Sequence, residues 1–118
     1  MDIERRIEEL RQFYPLLNLK PIAGGYTVVR VRNVALPAGC NPGSTDVLLT
    51  LSAGQEVPAG RFVKHPVVLP SGNSPSYSAT LIDGETWYGF SYNFPWSSTA
   101  DPMYVFVESM ITRFAKPN

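Results

Sequence analysis

The chain has 118 residues, with ten basic and ten acidic side chains and no block of like charge. This length fits one domain, residues 1–118, and the balanced charge argues against a nucleic-acid binder or a basic membrane-surface protein. One cysteine, Cys40, and one histidine, His65, are too few for an internal disulfide or for a zinc site built from such ligands. We therefore expect no metal and no cofactor.

The beginning of the chain predicts an amphipathic helix over residues 2–13. Apolar residues recur there at helical spacing while charged residues fill the other positions, with Asp2 at the start and Pro15 after the end. No apolar signal segment precedes the helix, and no run approaches the roughly eighteen apolar residues that span a bilayer. We expect a cytoplasmic protein.

The middle of the chain is typical of an antiparallel sheet. Runs rich in β-branched and aromatic residues occupy 26–36, 45–51, 61–69, 77–82 and 85–91. Pro66 indicates a bulge or an edge strand in the third run, because proline cannot donate to a ladder. Asp83-Gly84 favours a type I′ hairpin between the last two. With no helix between them, the strands predict an antiparallel meander.

The last segment predicts a second helix with one buried face. Met103, Phe106, Val107, Met110, Ile111 and Phe114 form a stripe at helical spacing. Asp101 is the expected N-cap, followed by Pro102, and Lys116-Pro117 is the expected end. The predicted fold class is therefore α+β, with a helix, a meander, an irregular aromatic loop and a helix.

The residues alone point to one stretch, 84–101, as the place of function. It holds both tryptophans, four other aromatic residues and three serines within eighteen positions. Ser91 follows the last strand, but as a nucleophile it would need a base within about 3 Å, so it also fits a strand-end serine. Trp87 and Trp96 fit core or lid residues. Cys40, in a Pro/Gly-rich turn, and His65 fit structural roles as well as chemical ones.

Three motifs, taken together, resemble a known family. They are LPAGCNPGSTDVLLTL, the PAGRFVKHPVVLPSG stretch and GETWYGFSYNFPWSSTAD. Over roughly residues 15–115 the chain resembles the prokaryotic UBC-like family E, bacterial relatives of ubiquitin-conjugating enzymes. The resemblance implies a UBC-like fold, with an N-terminal helix, a four-strand antiparallel meander, an active-site loop and a C-terminal helix.

The resemblance also implies a function in a bacterial ubiquitin-like pathway. Such a protein accepts a ubiquitin-like protein from an activating enzyme and passes it to an acceptor, in operons that also encode a JAB-type peptidase and are associated with anti-phage defence. Ser91 matches the position of a hydroxyl that forms an oxyester. An oxyester is less activated than a thioester and needs more oxyanion stabilisation, for which Asn93 is the expected donor.

The remaining residues that the resemblance assigns shape the site. Trp87, Trp96 and Asp101 match conserved positions around the active stretch, and Cys40 is a weak alternative nucleophile in an early turn. Asn93 stands where the family often has a histidine, which removes the obvious base for Ser91. The alternative interpretation is a non-catalytic UBC-like module that docks the ubiquitin-like protein or the activating enzyme.

Overall fold

A computed structural model describes residues 1–116 and has an α+β fold with two helices and one antiparallel sheet. The six strands of the described chain lie in the order β1-β2-β3-β4-β6-β5. The elements are α1 (Ile3–Arg11), β1 (Leu17–Ile22), β2 (Tyr26–Ala35), β3 (Ser44–Ser52), β4 (Gly60–Val63), β5 (Ser78–Ile82), β6 (Glu85–Gly89) and α2 (Met103–Arg113).

The first helix follows its sequence signals. Asp2 is the N-cap, and its carboxylate accepts a hydrogen bond of 3.1 Å from the backbone N–H of Arg5. Leu10 and Ile7 are buried on one face. The helix ends at Arg11, well before Pro15, so the predicted helix over 2–13 is confirmed with shorter bounds.

The count of four strands is wrong, since the described chain has six. β1 was missed: it pairs with β2 through a turn in which Gly24 and Gly25 have φ of +85° and +78°. Its sequence signal is weak because β1 is an exposed edge strand containing Lys20 and Pro21, which are unfavourable in a central strand.

The simple meander is also wrong beyond β4. β6 pairs with β4, and β5 lies outside it at the edge of the sheet. The predicted strand over 61–69 ends at Val63, before Pro66, and Val68 makes only an isolated bridge with Asn41. A proline-rich segment thus carries the chain past the place of β6 to the edge, and the β5–β6 hairpin returns it.

The hairpin itself forms as predicted. Asp83 and Gly84 have φ of +50° and +81°, the positive values that a type I′ turn requires at both central positions. The turn reverses the chain directly, so that Ile82 pairs with Glu85. This local signal therefore fixes the pairing of β5 with β6.

The second helix is confirmed, but its predicted cap is wrong. Pro102, in extended conformation, occupies the N-cap position of α2 and makes no side-chain cap. The carboxylate of Asp101 is instead directed to the backbone N–H of Ser97, at 2.8 Å. The N–H of Met103 is satisfied by the side chain of Glu9, which reaches across from α1.

The sheet has two unequal faces. Its inner face packs against both helices and forms the main core; the buried members include Leu10, Val29, Val31, Leu49, Val63, Met103, Phe106, Met110 and Phe114. Its outer face carries a smaller buried cluster of Val28, Leu48 and Trp87. The functional stretch therefore begins on the outer face, at Trp87, and continues to the helical side of the sheet.

Candidate functional site

Ser91 lies two residues beyond the end of β6 and is exposed. β4 and β6 pair at Phe62–Gly89, and beyond this pair the two chain segments part. The resulting recess has a volume of about 310 Å³ and is lined by Ser91, Arg61, Phe62 and the backbone of Gly60, among others. Within residues 1–116 the Ser91 hydroxyl has no hydrogen-bond partner, so no base is in place to activate it.

Two glycines beside this recess, Gly60 and Gly89, leave space for the Phe62 ring. A β-carbon on Gly60 would lie 2.7 Å from Phe62 Cε2 and 2.9 Å from Thr50 Oγ1. One on Gly89 would lie 3.1 Å from Phe62 Cε1. The Phe62 ring therefore packs directly on the backbone of both strands, and a larger residue at either position would push it aside.

Arg61 is the cation among the residues that line this recess. Its Nη2 donates to the Tyr92 carbonyl at 2.5 Å, and its guanidinium carbon lies 4.8 Å from the centre of the Phe94 ring. Burial lowers the pKa of Arg61 from its ordinary value, although the group stays a cation. Its Nε is enclosed and has no hydrogen-bond partner among the described residues.

Asn93 does not share the recess of Ser91. It is exposed and lines a different recess, of about 250 Å³. Arg113, the last residue of α2, and Lys116, just beyond the helix, line the same recess. The assignment of Asn93 as the donor for a carbonyl on Ser91 stays a prediction. Arg61, which sequence reasoning missed, lines the recess of Ser91 instead.

Trp96 and Asp101 are brought together as a frame for the loop before α2. Trp96 Nε1 donates to the Pro102 carbonyl at 3.0 Å, while Asp101 bonds the backbone of Ser97 in both directions. Arg6 of α1 donates to the carbonyls of Ser98 and Asp101, at 2.5 and 3.0 Å. The loop is therefore held by hydrogen bonds at both of its ends.

Arg6 is a second residue that sequence reasoning missed. It is only 3% exposed, and its guanidinium carbon lies 5.1 Å from the centre of the Trp96 ring. A signal was present, because Arg6 is three residues after Ile3 and four before Leu10, on the apolar face of the helix. A cation on that face indicates a buried partner, and the carbonyls of the loop are that partner.

Trp87 lies apart from this loop. It is 2% exposed on the outer face of the sheet, where the guanidinium carbon of Arg30 lies 5.0 Å and Lys64 Nζ lies 5.3 Å from the centre of its ring. Glu85 pairs with both cations, at 2.9 and 3.7 Å. Trp87 therefore shares a strand with the site but anchors the outer cluster.

Cys40 and His65 offer little to the chemistry of Ser91. Cys40 is buried in the main core rather than exposed in its turn, and burial raises the pKa of its thiol. Because the thiolate is the reactive form, this environment disfavours Cys40 as a nucleophile. His65 is exposed in the segment after β4 and does not line the recess of Ser91.

Comparison with known proteins gives no relative: no protein-family profile, no curated protein and no solved structure matches this chain. Within residues 1–116 no cluster of three or more His, Cys, Asp or Glu side chains is placed to hold a metal ion. In the same part of the chain, neither helix has the length and apolar character needed to cross a membrane.

Proposed function

We propose that this chain is a UBC-like binding module whose recess beside Ser91 holds the C-terminal tail of a ubiquitin-like protein. The observation that carries the proposal is the exposed Ser91 at a recess bordered by Gly60, Gly89 and Arg61. A recess whose lining includes two glycines suits an extended segment with small side chains, such as a tail that ends in glycine. The motif resemblance supports the choice of partner.

The binding module is preferred over a transferase because of the surroundings of Ser91. A serine nucleophile requires a base within hydrogen-bond reach, and in the described part of the chain the Ser91 hydroxyl contacts none. The activating enzyme, the second partner expected from the resemblance, would then be docked without transfer.

A covalent role is the second candidate, favoured by the exposed position of Ser91 at the recess. Ser91 Oγ would attack the carbonyl carbon of a thioester on the activating enzyme. A C–O bond would form, the C–S bond would break, and the serine proton would pass to the departing thiolate. The donors for the developing oxyanion, and a base to relay the proton, would come from the activating enzyme.

The binding proposal is tested with a fluorescent peptide that ends in two glycines, followed by anisotropy. We expect saturable binding that Ser91→Trp abolishes by filling the recess and that Ser91→Ala leaves intact. Thr99→Trp, at another exposed position, is the matched control. A peptide that ends in two valines should bind at least about tenfold more weakly, because branched side chains do not fit beside the Phe62 ring. Equal binding of both peptides, or none, would overturn the proposal.

The covalent role is tested with a bacterial activating enzyme and its ubiquitin-like protein, together with ATP. An adduct that is labile to hydroxide, resistant to thiols and absent in Ser91→Ala supports the ester. An adduct lost only in Cys40→Ala would move the nucleophile to the thiol. Binding without any adduct leaves the module as the function.

A further inference from the structure

A second recess lies between the 93–95 segment and the C-terminal half of α2. It has a volume of about 250 Å³, and its lining includes polar side chains from both sides: Asn93, Glu108, Ser109, Thr112, Arg113 and Lys116. It shares no lining residue with the recess of Ser91. Any ligand here is therefore additional to the tail proposed above.

Arg113 is one of the two cations in the lining of this recess. Its guanidinium carbon lies 4.1 Å from the centre of the Tyr92 ring, which fixes the plane of the group. Its Nη1 is shielded from solvent and has no hydrogen-bond partner within residues 1–116, and the Tyr92 hydroxyl is in the same condition. Because both atoms are closed to solvent, a ligand in the open recess would meet the other donors of the Arg113 guanidinium.

The charge of the recess indicates the class of ligand. Arg113 and Lys116 are cationic and Glu108 is anionic, so the lining carries one net positive charge. A single negative charge balances it, whereas a phosphate dianion would exceed it and be repelled by Glu108. Arginine presents its donors in a fork that matches the two oxygens of a carboxylate.

A simpler explanation accounts for only part of this arrangement. Basic residues near the end of a helix are stabilised by its exposed carbonyls, which suffices for Lys116. It does not account for the position of Arg113, whose guanidinium lies against the Tyr92 ring. It also does not explain why the Asn93 side chain lines the same recess from a separate segment.

We propose that this recess binds the carboxylate of an acidic side chain presented by a partner protein. Arg113 supplies the fork of donors and Lys116 adds a second charge. Asn93, Ser109 and Thr112 provide further polar groups at the walls. The site would thus fix the orientation of a partner through one ion pair.

Sodium acetate is the probe, titrated against sodium chloride at constant ionic strength and followed by ¹H–¹⁵N correlation spectra of the whole chain. We expect saturable shifts of the Asn93 side-chain amide and of the backbone amides of Thr112 and Arg113. Arg113→Gln and Lys116→Gln should each weaken acetate binding by roughly tenfold, the size of one hydrogen bond to a charged group. Lys116 is exposed, so its variant tests the site without disturbing the core.

Lys20→Gln is the matched control, because Lys20 is an exposed lysine on the outer face of the sheet, paired with Asp83. It should bind acetate as the parent does. Shifts that do not saturate, or that are unchanged in Arg113→Gln and Lys116→Gln, would overturn the proposal. Inorganic phosphate in place of acetate should bind more weakly, and tighter binding of phosphate would overturn the assignment to a carboxylate.

Discussion

The Oε1 atom of Glu9 accepts a hydrogen bond of 2.9 Å from the backbone N–H of Met103, and so joins the first helix to the first residue of the last. The same oxygen accepts from Nη1 of Arg6 at 2.9 Å. Arg6 in turn holds two carbonyls of the loop between Trp96 and α2. One carboxylate therefore connects helix α1, helix α2 and the frame of the candidate site.

The first prediction concerns Glu9→Ala. It leaves the charge of Arg6 and the N–H of Met103 without their acceptor, so we expect the free energy of unfolding to fall by about 2 to 3 kcal/mol. Glu8→Ala is the matched control on the same helix, since Glu8 is exposed and its pair with Arg11 contributes under about 1 kcal/mol. Urea unfolding measures both, and equal losses would contradict the role of Glu9.

The second prediction concerns acid. Partial burial alone would raise the pKa of Glu9, but hydrogen bonds from Arg6 and Met103 and the charges of Arg6 and Arg5 outweigh it, so the pKa is lowered. The pKa of Asp46 is lowered in the same way, against its burial, by the Asn33 amide and by Arg30 and Arg32. Both carboxylates stabilise the fold fully above their ordinary values of 4.5 and 3.8, and this stabilisation is lost as pH falls through the lowered values.

We therefore expect the free energy of unfolding to decrease steadily below about pH 4.5, with a shallower decrease in Glu9→Gln and in Asp46→Asn. Asp83→Asn is the control, because Asp83 is exposed and pairs only with Lys20 among the described residues. Urea unfolding at a series of pH values gives the slopes. Slopes in the two variants as steep as in the parent would show that other groups control the acid response.

The third prediction concerns the recess of Ser91. Gly60→Ala places a methyl group against the Phe62 ring and Thr50, and should cost about 1 to 3 kcal/mol of stability. Gly54→Ala is the matched control, since its nearest neighbour, Ser52 Oγ, is 3.9 Å away and the new methyl group is tolerated. Thermal unfolding compares the two. Indistinguishable melting temperatures would mean that Phe62 is not packed on the backbone as described.

The fourth prediction separates the two tryptophans by their fluorescence. Trp87 is 2% exposed, whereas Trp96 is half-buried in the loop before α2. In Trp96→Phe the remaining emission should lie at shorter wavelength and resist quenching by acrylamide. In Trp87→Phe the remaining tryptophan should be quenched more readily. If acrylamide quenched Trp96→Phe more readily than Trp87→Phe, Trp87 would not be buried in the outer cluster.

Local signals in the sequence were sufficient for both helices and for one hairpin. The apolar stripe of α2 and the positive φ that Asp83-Gly84 favours are properties of a few neighbouring residues, and tertiary structure does not override them. The order of the strands is different in kind. β6 lies beside β4, where its Trp87 packs with Leu48 and Val28 of the outer face. The periodicity of the two hairpin strands does not show which of them pairs with β4.

The candidate site shows the same division. Ser91, Trp96 and Asp101 could be located from a concentration of aromatic residues and from the motif resemblance. The arginines that surround them come from α1, β4 and α2, far away in the sequence. Arg61 and Arg113 read as ordinary surface cations until the fold places them against Phe94 and Tyr92. Their role depends on long-range packing, which spacing alone does not reveal.

The β5–β6 hairpin is joined to β4 through the pairs Phe62–Gly89 and Val63–Tyr88, with no further strand pairs in the described part of the chain. Trp87, which packs with Leu48 and Val28, is the main side-chain contact that holds the hairpin to the rest of the outer face. We expect amide hydrogen exchange to be faster in this hairpin than in β2 and β3, because it can detach as a unit while the remaining strands stay paired. The segment that carries Ser91 would move with it, so detachment of the hairpin would remove one wall of the recess.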